Sequence, residues 1–440
     1  MASGELSKDD GYHSPLGCRD VETQSIRNAE NSPDNIANYG ATKDEESPVS
    51  EAAQDVSRGC WPKCCPDWFL DEFRKMASLS WSMFLLAVFS YLIGPVSLAF
   101  CGHLGTKAMD GVALALTVIN VTGISIAMGL AMACGTFFAQ SYGSVNKGRV
   151  GLYLLRSLII LLLFILPCWA IHLNAEALLL KFDQEKEVAR IAGEYIAYFM
   201  PAMPGVFVME ILMQYLRCQN IIFPTIVIGG AGVVVNAVVH ALLLFVVGMG
   251  SNGSALAQVI TFNFMALSLI AYIIYMGVYK ETWEGWKLRD VFEDWGVFLK
   301  LAVSGMLMLG MEWWTFEIGT LISGVFDPVS LGAQSIGFQL LSVVYMVPLG
   351  ISLASTIRVG HLLGAEDHKQ VVRAIKVTFA LAVFCECVVG LVLVAFHTLL
   401  PKIFTTDPAI IDYAGYIVLM VALYEVFDSI AVSNNYHKLP

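Results

Sequence analysis

The chain has 440 residues, of which 57% are hydrophobic and only 14% are charged, and its formal net charge is −11. Because a soluble globular chain carries about a quarter charged residues, this composition excludes an ordinary soluble domain and indicates a membrane protein. The acidity is local, since residues 1–57 hold twelve acidic and four basic side chains. No basic patch stands clear of the apolar segments, which argues against a nucleic-acid partner.

The first 75 residues are predicted to be a cytosolic tail and juxtamembrane segment. Ser, Asn, Asp and Glu dominate residues 1–57, which lack the apolar side chains needed to bury a core. The segment ends in CWPKCCP, where Cys60, Cys64 and Cys65 are candidates for lipidation. Free cytosolic thiols are the alternative. No metal site is expected, because no second Cys/His pair follows at ligand spacing.

Ten apolar segments are long enough to cross a bilayer, which takes about 20 residues of helix. They are residues 78–101, 111–140, 150–172, 188–214, 221–248, 254–277, 296–324, 330–363, 371–397 and 408–434. Pro95 and Pro348 lie inside two of these segments, where proline is predicted to bend the helix and act as a hinge.

Lysine and arginine predict the orientation. With the N-terminus in the cytosol, the outer loops hold few basic residues, namely Lys107, Lys181, Lys186, Arg190 and Lys402, and most of the others fall inside. The positive-inside rule therefore predicts a multi-pass protein with both ends cytosolic, and we expect it in the plasma membrane. Residues 279–295, rich in charge and Trp, are predicted to be a cytosolic connector.

An internal repeat predicts the domain organisation. A shift of 221 residues superimposes Gly111 on Gly332, Gly129 on Gly350 and Gly143 on Gly364. Residues 76–278 are thus predicted to form an N-terminal six-helix lobe and residues 296–440 a C-terminal lobe of four helices. An even number of helices per unit keeps the repeats parallel. The fold class is an all-α polytopic membrane protein of two parallel-repeat bundles, the second incomplete, as in a truncated form with ten of twelve helices.

Acidic residues inside the apolar segments are the leading candidates for function, because an ionisable group in a bilayer is costly. Glu312 and Glu317 lie on the seventh segment, about 140° apart around the helix. Trp313, Trp314 and Phe316 surround them and could attract an organic cation through their ring faces. We expect the two carboxylates to bind protons or cations. Pairing with polar groups on neighbouring helices is the alternative.

A second group of polar residues follows the same reasoning. Asp428 and Glu425, one turn apart on the tenth segment, are further candidates for proton or cation binding, and simple exposure at a frayed last helix is the alternative. Gln339, Tyr345 and Asn120 are predicted to line the substrate path. Interhelical hydrogen bonding is the alternative for Gln339 and Asn120.

Motifs of several enzyme classes are absent from the sequence. It contains no G-x-x-x-x-G-K-[ST], no H-E-x-x-H and no G-x-S-x-G. Nucleotide hydrolysis, zinc-dependent proteolysis and serine hydrolysis are therefore not expected. We predict neither an enzyme nor a bound cofactor.

With these residues in view, the chain resembles the animal branch of the multidrug and toxin extrusion family. The stretches that carry the resemblance are FCGHLGT (100–106), INVTG (119–123), FFAQSYGS (137–144), MEWWTFE (311–317), LGAQSI (331–336), YMVPLGIS (345–352), RVGHLLGA (358–365) and IFTTD (403–407). The resemblance implies a twelve-helix core of two lobes that alternate between facing inward and outward. It also implies exchange of protons for organic cations, with no cofactor.

The resemblance assigns the family's acidic sites to particular residues. Two of these sites match Glu312 and Glu317, and animal members usually carry glutamate where this chain has Gln339 and Asp428. The expected function is therefore a secondary active antiporter that exports organic cations in exchange for protons. There are two alternatives. One is a non-transporting truncated form with a regulatory role or no activity, and the other is a lipid flippase of the same superfamily.

Overall fold

The computed structural model describes residues 67–182, 184–283, 285, 291–292, 295–326, 328–405 and 407–436, apart from the side chains of 67, 106, 312, 316–326, 328, 331 and 426–436. Residues 1–66, with Cys60, Cys64 and Cys65, and much of the connector 279–295 lie outside this set. Within it, helices joined by turns account for the fold and no strand occurs.

Ten long helices follow one another in the described chain, one for each predicted segment. They are α1 (Asp67–Gly102), α2 (Thr106–Ile119, a π-helical turn Asn120–Ile124, and Ser125–Gly143), α3 (Arg149–Leu173), α4 (Lys186–Phe199 and Ala202–Cys218), α5 (Phe223–Ala241 and a π-helical turn Leu242–Val246), α6 (Gly250–Tyr275), α7 (Trp295–Phe326), α8 (Pro328–Val344 and Met346–Gly364), α9 (His368–Phe396) and α10 (Pro408–Tyr436). Among the described residues, nine helices are long and apolar enough to cross a membrane, and α4 makes ten if its bent halves form one span. The predicted all-α polytopic membrane protein is confirmed.

Helix α1 begins eleven residues before the predicted start at 78. The eleven residues before 78 include five charged ones, which lower the mean hydropathy, yet these turns also present an apolar face. Met76 is buried, and Trp68, Phe69 and Phe73 pack around the same cluster, which includes residues of α8 and α9. Tertiary packing of this amphipathic face therefore extends the helix beyond the apolar core of the span.

The bends of the helices differ from the prediction. The described helices bend by more than 40° at one break, 58° between the two halves of α4, where Pro201 lacks the N–H that would continue the hydrogen-bond ladder. Helix α1 continues through Pro95. Helix α8 loses one hydrogen bond of its ladder beside Tyr345, because Pro348 cannot donate to the Val344 carbonyl, while Tyr345 itself keeps helical backbone angles. We call this position the break in α8. The hinge roles of Pro95 and Pro348 stay predictions.

Three hydrophobic clusters show how the helices group. Helices α1 to α6 share the largest cluster, to which the start of α7 adds Phe298 and Ala302. A second cluster joins the start of α1 to the second half of α8 and to α9. A third is built from the first half of α8, the end of α9 and α10. We call α1–α6 the N-terminal helices and α7–α10 the C-terminal helices.

Helices α2 and α8 meet through glycines at one end of the bundle. A Cβ atom at Gly143 would overlap the His361 carbonyl, and one at Gly364 would overlap the Gln140 carbonyl. Only glycine permits so close an approach of two backbones. Adding 221 to Gly143 and Gln140 gives Gly364 and His361, so the two contacts are copies of each other.

A second pair of contacts obeys the same relation. A Cβ atom at Gly129 would lie 2.5 Å from the Met306 Cα atom, and one at Gly350 would lie 2.8 Å from the Phe84 nitrogen. Gly129 and Gly350 are again 221 residues apart, and Phe84 and Met306 are 222 apart. The packing of the N-terminal on the C-terminal helices is therefore quasi-symmetric, as parallel repeats require.

The end of the bundle at which α2 and α8 finish carries many cations. Lys147 and Arg149 follow α2, Arg74 lies near the start of α1, and Arg358 lies near the end of α8. We call it the basic end. The glycine contacts close the space between the N-terminal and C-terminal helices there.

Candidate functional site

Helix α7 contacts the π-helical turn of α2 through a tryptophan. The Trp314 indole nitrogen donates to the Val121 carbonyl at 3.3 Å, and the Ser125 hydroxyl donates to the same oxygen at 2.8 Å. A π-helical turn displaces the backbone hydrogen-bond ladder by one residue and is frequent at functional sites. The predicted lining residue Asn120 begins this turn, and Trp314 keeps 39% of its surface exposed. Trp314 and Asn120, which are both predicted to line the substrate path, therefore lie at the same contact between α7 and α2.

Helices α8 and α1 are joined by a polar contact. The Gln339 amide donates to the Tyr91 hydroxyl, and both side chains are partly buried. This bond favours the alternative interpretation of Gln339 as an interhelical hydrogen-bonding group, and its lining role stays a prediction. Tyr91 was missed in the sequence analysis, although a tyrosine one turn before Pro95 in an apolar segment was a visible signal.

Two glycines of α8 set its register against α10. A Cβ atom at Gly332 would lie 3.2 Å from Ile410, and one at Gly337 would overlap Ile417. The later glycine of α8 meets the later isoleucine of α10. The two helices therefore lie side by side and run in the same direction.

This register places a buried acid at the break in α8. Glu425 follows Ile417 by eight residues, just as Tyr345 follows Gly337, so the two lie at about the same depth. Glu425 is 0% exposed, and Tyr345 is the residue at which the two halves of α8 meet. The structure thus places Glu425, a predicted proton- or cation-binding residue, and Tyr345, a predicted lining residue, at about the same depth on neighbouring helices.

A further buried acid, Glu386 on α9, was missed in the sequence analysis. It is 1% exposed. The His397 carbonyl lies 3.5 Å from a Cβ atom at Gly415, and α9 and α10 run in opposite directions. Counting eleven residues back from His397 and ten onward from Gly415 reaches Glu386 and Glu425, so the two acids lie at about the same depth. The acid in the apolar stretch FCECVV was the available signal.

The side chains of the other three predicted acids are not among those that the structure describes. Glu312 and Glu317 are part of α7 and Asp428 is part of α10, but these side chains, with Phe316, lie outside the described residues. Trp313 is partly buried on α7. The proton- and cation-binding roles of these residues stay predictions.

Polar side chains in the N-terminal helices pair with one another. The His240 ring nitrogens lie 2.7 Å from the Asn236 carbonyl and 2.9 Å from the Ser254 hydroxyl. The Gln258 amide donates to the Ser97 hydroxyl at 2.8 Å, which ties α6 to α1. Such pairs satisfy buried groups and hold helices together. In the part of the chain that the structure describes, no group of three or more His, Cys, Asp or Glu could hold a metal ion.

The chemistry open to the buried acids follows from their surroundings. An ionised carboxylate in an apolar helix bundle is costly unless it has a cation or strong hydrogen-bond donors beside it. A proton or a bound cation can each supply that compensation. A buried carboxylate of this kind can therefore exchange a proton for a cation.

Comparisons with known sequences identify a family and several relatives of this chain. The family model MatE matches residues 82–242 and 306–435. Multidrug and toxin extrusion protein 1 of Danio rerio is 38% identical over 90% of this chain and 69% of its own length. The protein of the same name from Homo sapiens is 41% identical over 83% of this chain and 64% of its own length. The chain thus spans about two thirds of these relatives.

Solved structures share the fold. The crystal structure of the eukaryotic MATE transporter AtDTX14 superimposes with a TM-score of 0.80 at 23% sequence identity, covering 84% of this chain and 83% of that one. An outward-facing MATE family transporter of the MOP superfamily gives 0.73 at 16% identity, covering 83% and 82%. Together with the family match and the sequence relatives, these similarities show that the chain belongs to the MatE family of multidrug and toxin extrusion proteins.

Proposed function

We propose that the chain is a secondary active antiporter that exports organic cations in exchange for protons. The family membership supports a transport function. The observation that carries the proposal is the complete burial of Glu425 on a membrane-spanning helix, level with the break in α8. An acid in this setting can be neutralised by a proton or by a cation, and competition between the two couples their movements. The chain acts as a transporter and not as an enzyme.

Glu312 is the proposed coupling residue. When the site faces outward, Glu312 takes up a proton and releases the organic cation. When the site faces inward, Glu312 loses the proton and binds a new cation against the rings of Trp313 and Phe316. Glu317, Asp428 and Glu425 supply further proton or cation sites, and Trp314, Gln339, Tyr345 and Asn120 line the path.

Alternating access requires the basic end to open and close. The glycine contacts between α2 and α8 hold it closed in this structure. We propose that α1, α7 and α8 move to open it, with Pro95 and Pro348 as hinges. A discrete change between two packed arrangements is the usual form of such a transition.

The proposed location is the plasma membrane, with the basic end in the cytosol. The concentration of lysine and arginine at that end supports this orientation. The predicted lipidation of Cys60, Cys64 and Cys65 would attach the segment before α1 to the same membrane face.

Transport by purified protein in proteoliposomes tests the proposal. An outward proton gradient should drive uptake of a small organic cation, and Glu312→Gln should abolish it without loss of folded protein. The matched control is Glu366→Gln, which removes one charge at an exposed turn before α9 and should leave uptake unchanged. Gradient-driven uptake retained in Glu312→Gln would reject the coupling role. Movement of a fluorescent lipid without cation uptake would favour the flippase alternative.

A further inference from the structure

A cavity of about 500 Å³ opens at the basic end, between the start of α1, the turn before α5 and the end of α8. Its polar lining consists of Arg74, Lys75, Ser78, Ser82, Asn220 and Arg358. The antiport cycle proposed above uses none of these residues. A cavity of this volume is large enough for a small organic ligand.

The cavity carries an excess of positive charge. Arg358 binds the Glu72 carboxylate through Nε at 2.7 Å and Nη2 at 3.0 Å. The Lys75 ammonium lies 4.0 Å from the same carboxylate but keeps 64% of its side chain exposed, and Arg74 is exposed. Glu72 therefore balances one of the three cations. The two remaining positive charges favour a ligand with at least two negative charges.

The length of α1 places the cavity at the membrane surface. Its 36 residues extend over about 54 Å, whereas the hydrocarbon core is about 30 Å thick and takes about 20 residues. Twenty residues counted back from Gly102 reach Met83. With Gly102 at the opposite edge of the hydrocarbon core, the stretch from Arg74 to Ser82 would lie at the level of the lipid headgroups.

One aromatic residue of α1 fits the same depth. Trp81 lies at the hydrocarbon end of the stretch from Arg74 to Ser82 and keeps 62% of its surface exposed. Tryptophan is enriched where helices leave the hydrocarbon core. At this depth the mouth of the cavity would face the phosphate groups of the bilayer.

We propose that this cavity binds the phosphorylated headgroup of an anionic membrane lipid, with an inositol bisphosphate lipid as the best match in charge. Arg74 and Lys75 would pair with phosphate oxygens, and Ser78, Ser82 and Asn220 would donate hydrogen bonds. Arginine and lysine bind phosphate through charge-assisted hydrogen bonds, and basic pockets between membrane helices are known to hold such headgroups.

The walls of the cavity come from both groups of helices. Arg74 and Lys75 belong to α1, whereas Arg358 belongs to α8 and binds Glu72 across the boundary between them. Separation of α1 from α8 would take the cavity apart. A lipid bound there would therefore hold α1 against α8.

Lipid titration of the purified chain in phosphatidylcholine nanodiscs tests the proposal. A short-chain phosphatidylinositol bisphosphate should bind the parent, and the double variant Arg74→Gln/Lys75→Gln should bind about thirtyfold more weakly, as expected for two cations near a membrane surface. Both residues are exposed, so the variant should fold. Lys369→Gln/Lys376→Gln is the matched control, since it removes the same charge from exposed positions at the start of α9. Its affinity should stay within about twofold of the parent.

Three results would overturn the proposal. Equal affinity in the parent and Arg74→Gln/Lys75→Gln would show that the cavity is not the site. An equal loss in the Lys369→Gln/Lys376→Gln control would show that general surface charge attracts the lipid. Binding of inositol trisphosphate or inorganic phosphate as tight as that of the lipid would show that a soluble anion is the ligand.

Discussion

In the N-terminal helices, the buried side chains of Gln258 and His240 hydrogen-bond to partners on their own or neighbouring helices. In the C-terminal helices, α9 and α10 bury the carboxylates of Glu386 and Glu425. Paired neutral groups cost little to bury, whereas a carboxylate is costly whenever it is ionised. Under the proposed function, Glu386 and Glu425 make the C-terminal helices the candidates for the exchange chemistry, and the paired groups around Gln258 and His240 stabilise the N-terminal helices.

The two groups of helices nevertheless share one packing pattern. The close contacts of Gly143 and Gly364, and those of Gly129 and Gly350, map onto each other through the 221-residue shift. The repeat therefore preserves the backbone contacts, while the polar side chains around them have diverged.

Removal of a buried acid should have the largest effect. We expect Glu425→Gln to reduce proton-driven uptake of an organic cation by about a hundredfold, because an amide cannot exchange a proton. Uptake by the variant in proteoliposomes measures the effect. The matched change in the N-terminal helices is Gln258→Leu, which should lower thermal stability but leave proton coupling intact. If both variants lose coupling equally, the division between scaffold and exchange helices is wrong.

The second largest effect is expected from a change at the glycine contact between α2 and α8. Gly364→Ala adds a Cβ atom that overlaps the Gln140 carbonyl, and such overpacking costs about 1–3 kcal/mol. Gly94→Ala is the control, since no atom lies within 4 Å of the added carbon. Distances between spin labels at the basic end should lengthen in Gly364→Ala alone. An unchanged distance distribution would argue against a closed contact at this point.

The smallest expected effect concerns the start of α9. The Gln370 backbone N–H donates to the Asp367 carboxylate at 3.1 Å and lowers its pKa. Because the folded pKa lies below the unfolded pKa, this contribution to stability is complete above the unfolded pKa and is lost as the pH falls through the folded pKa. Asp367→Ala should therefore reduce the melting temperature slightly at neutral pH and not in acid. An equal reduction at both pH values would contradict the capping role.

Much of the fold could be predicted from the sequence because apolar length is a local property. Each of the ten predicted segments has a helix in the structure. The start of α1 could not be predicted in this way, because its amphipathic turns become helical by packing on α8 and α9. The bend in α4 could have been predicted from Pro201, which is visible in the sequence.

The site was harder to predict than the spans. Acids in apolar segments are visible in any sequence, which is how Glu425 was found and how Glu386 could have been. Their shared depth depends on the contacts of Gly337 with Ile417 and of Gly415 with His397, and no local pattern encodes the register between two helices. The bond from Gln339 to Tyr91 joins residues 248 positions apart and is equally hidden.

The central claim is that cation movement is tied to proton movement through a carboxylate of the C-terminal helices. A pH-sensitive dye inside proteoliposomes tests it directly when an organic cation is added outside without an imposed gradient. Protons should leave as the cation enters, so the interior should become alkaline in the parent but not in Glu312→Gln. Cation entry without any change of internal pH would contradict proton exchange.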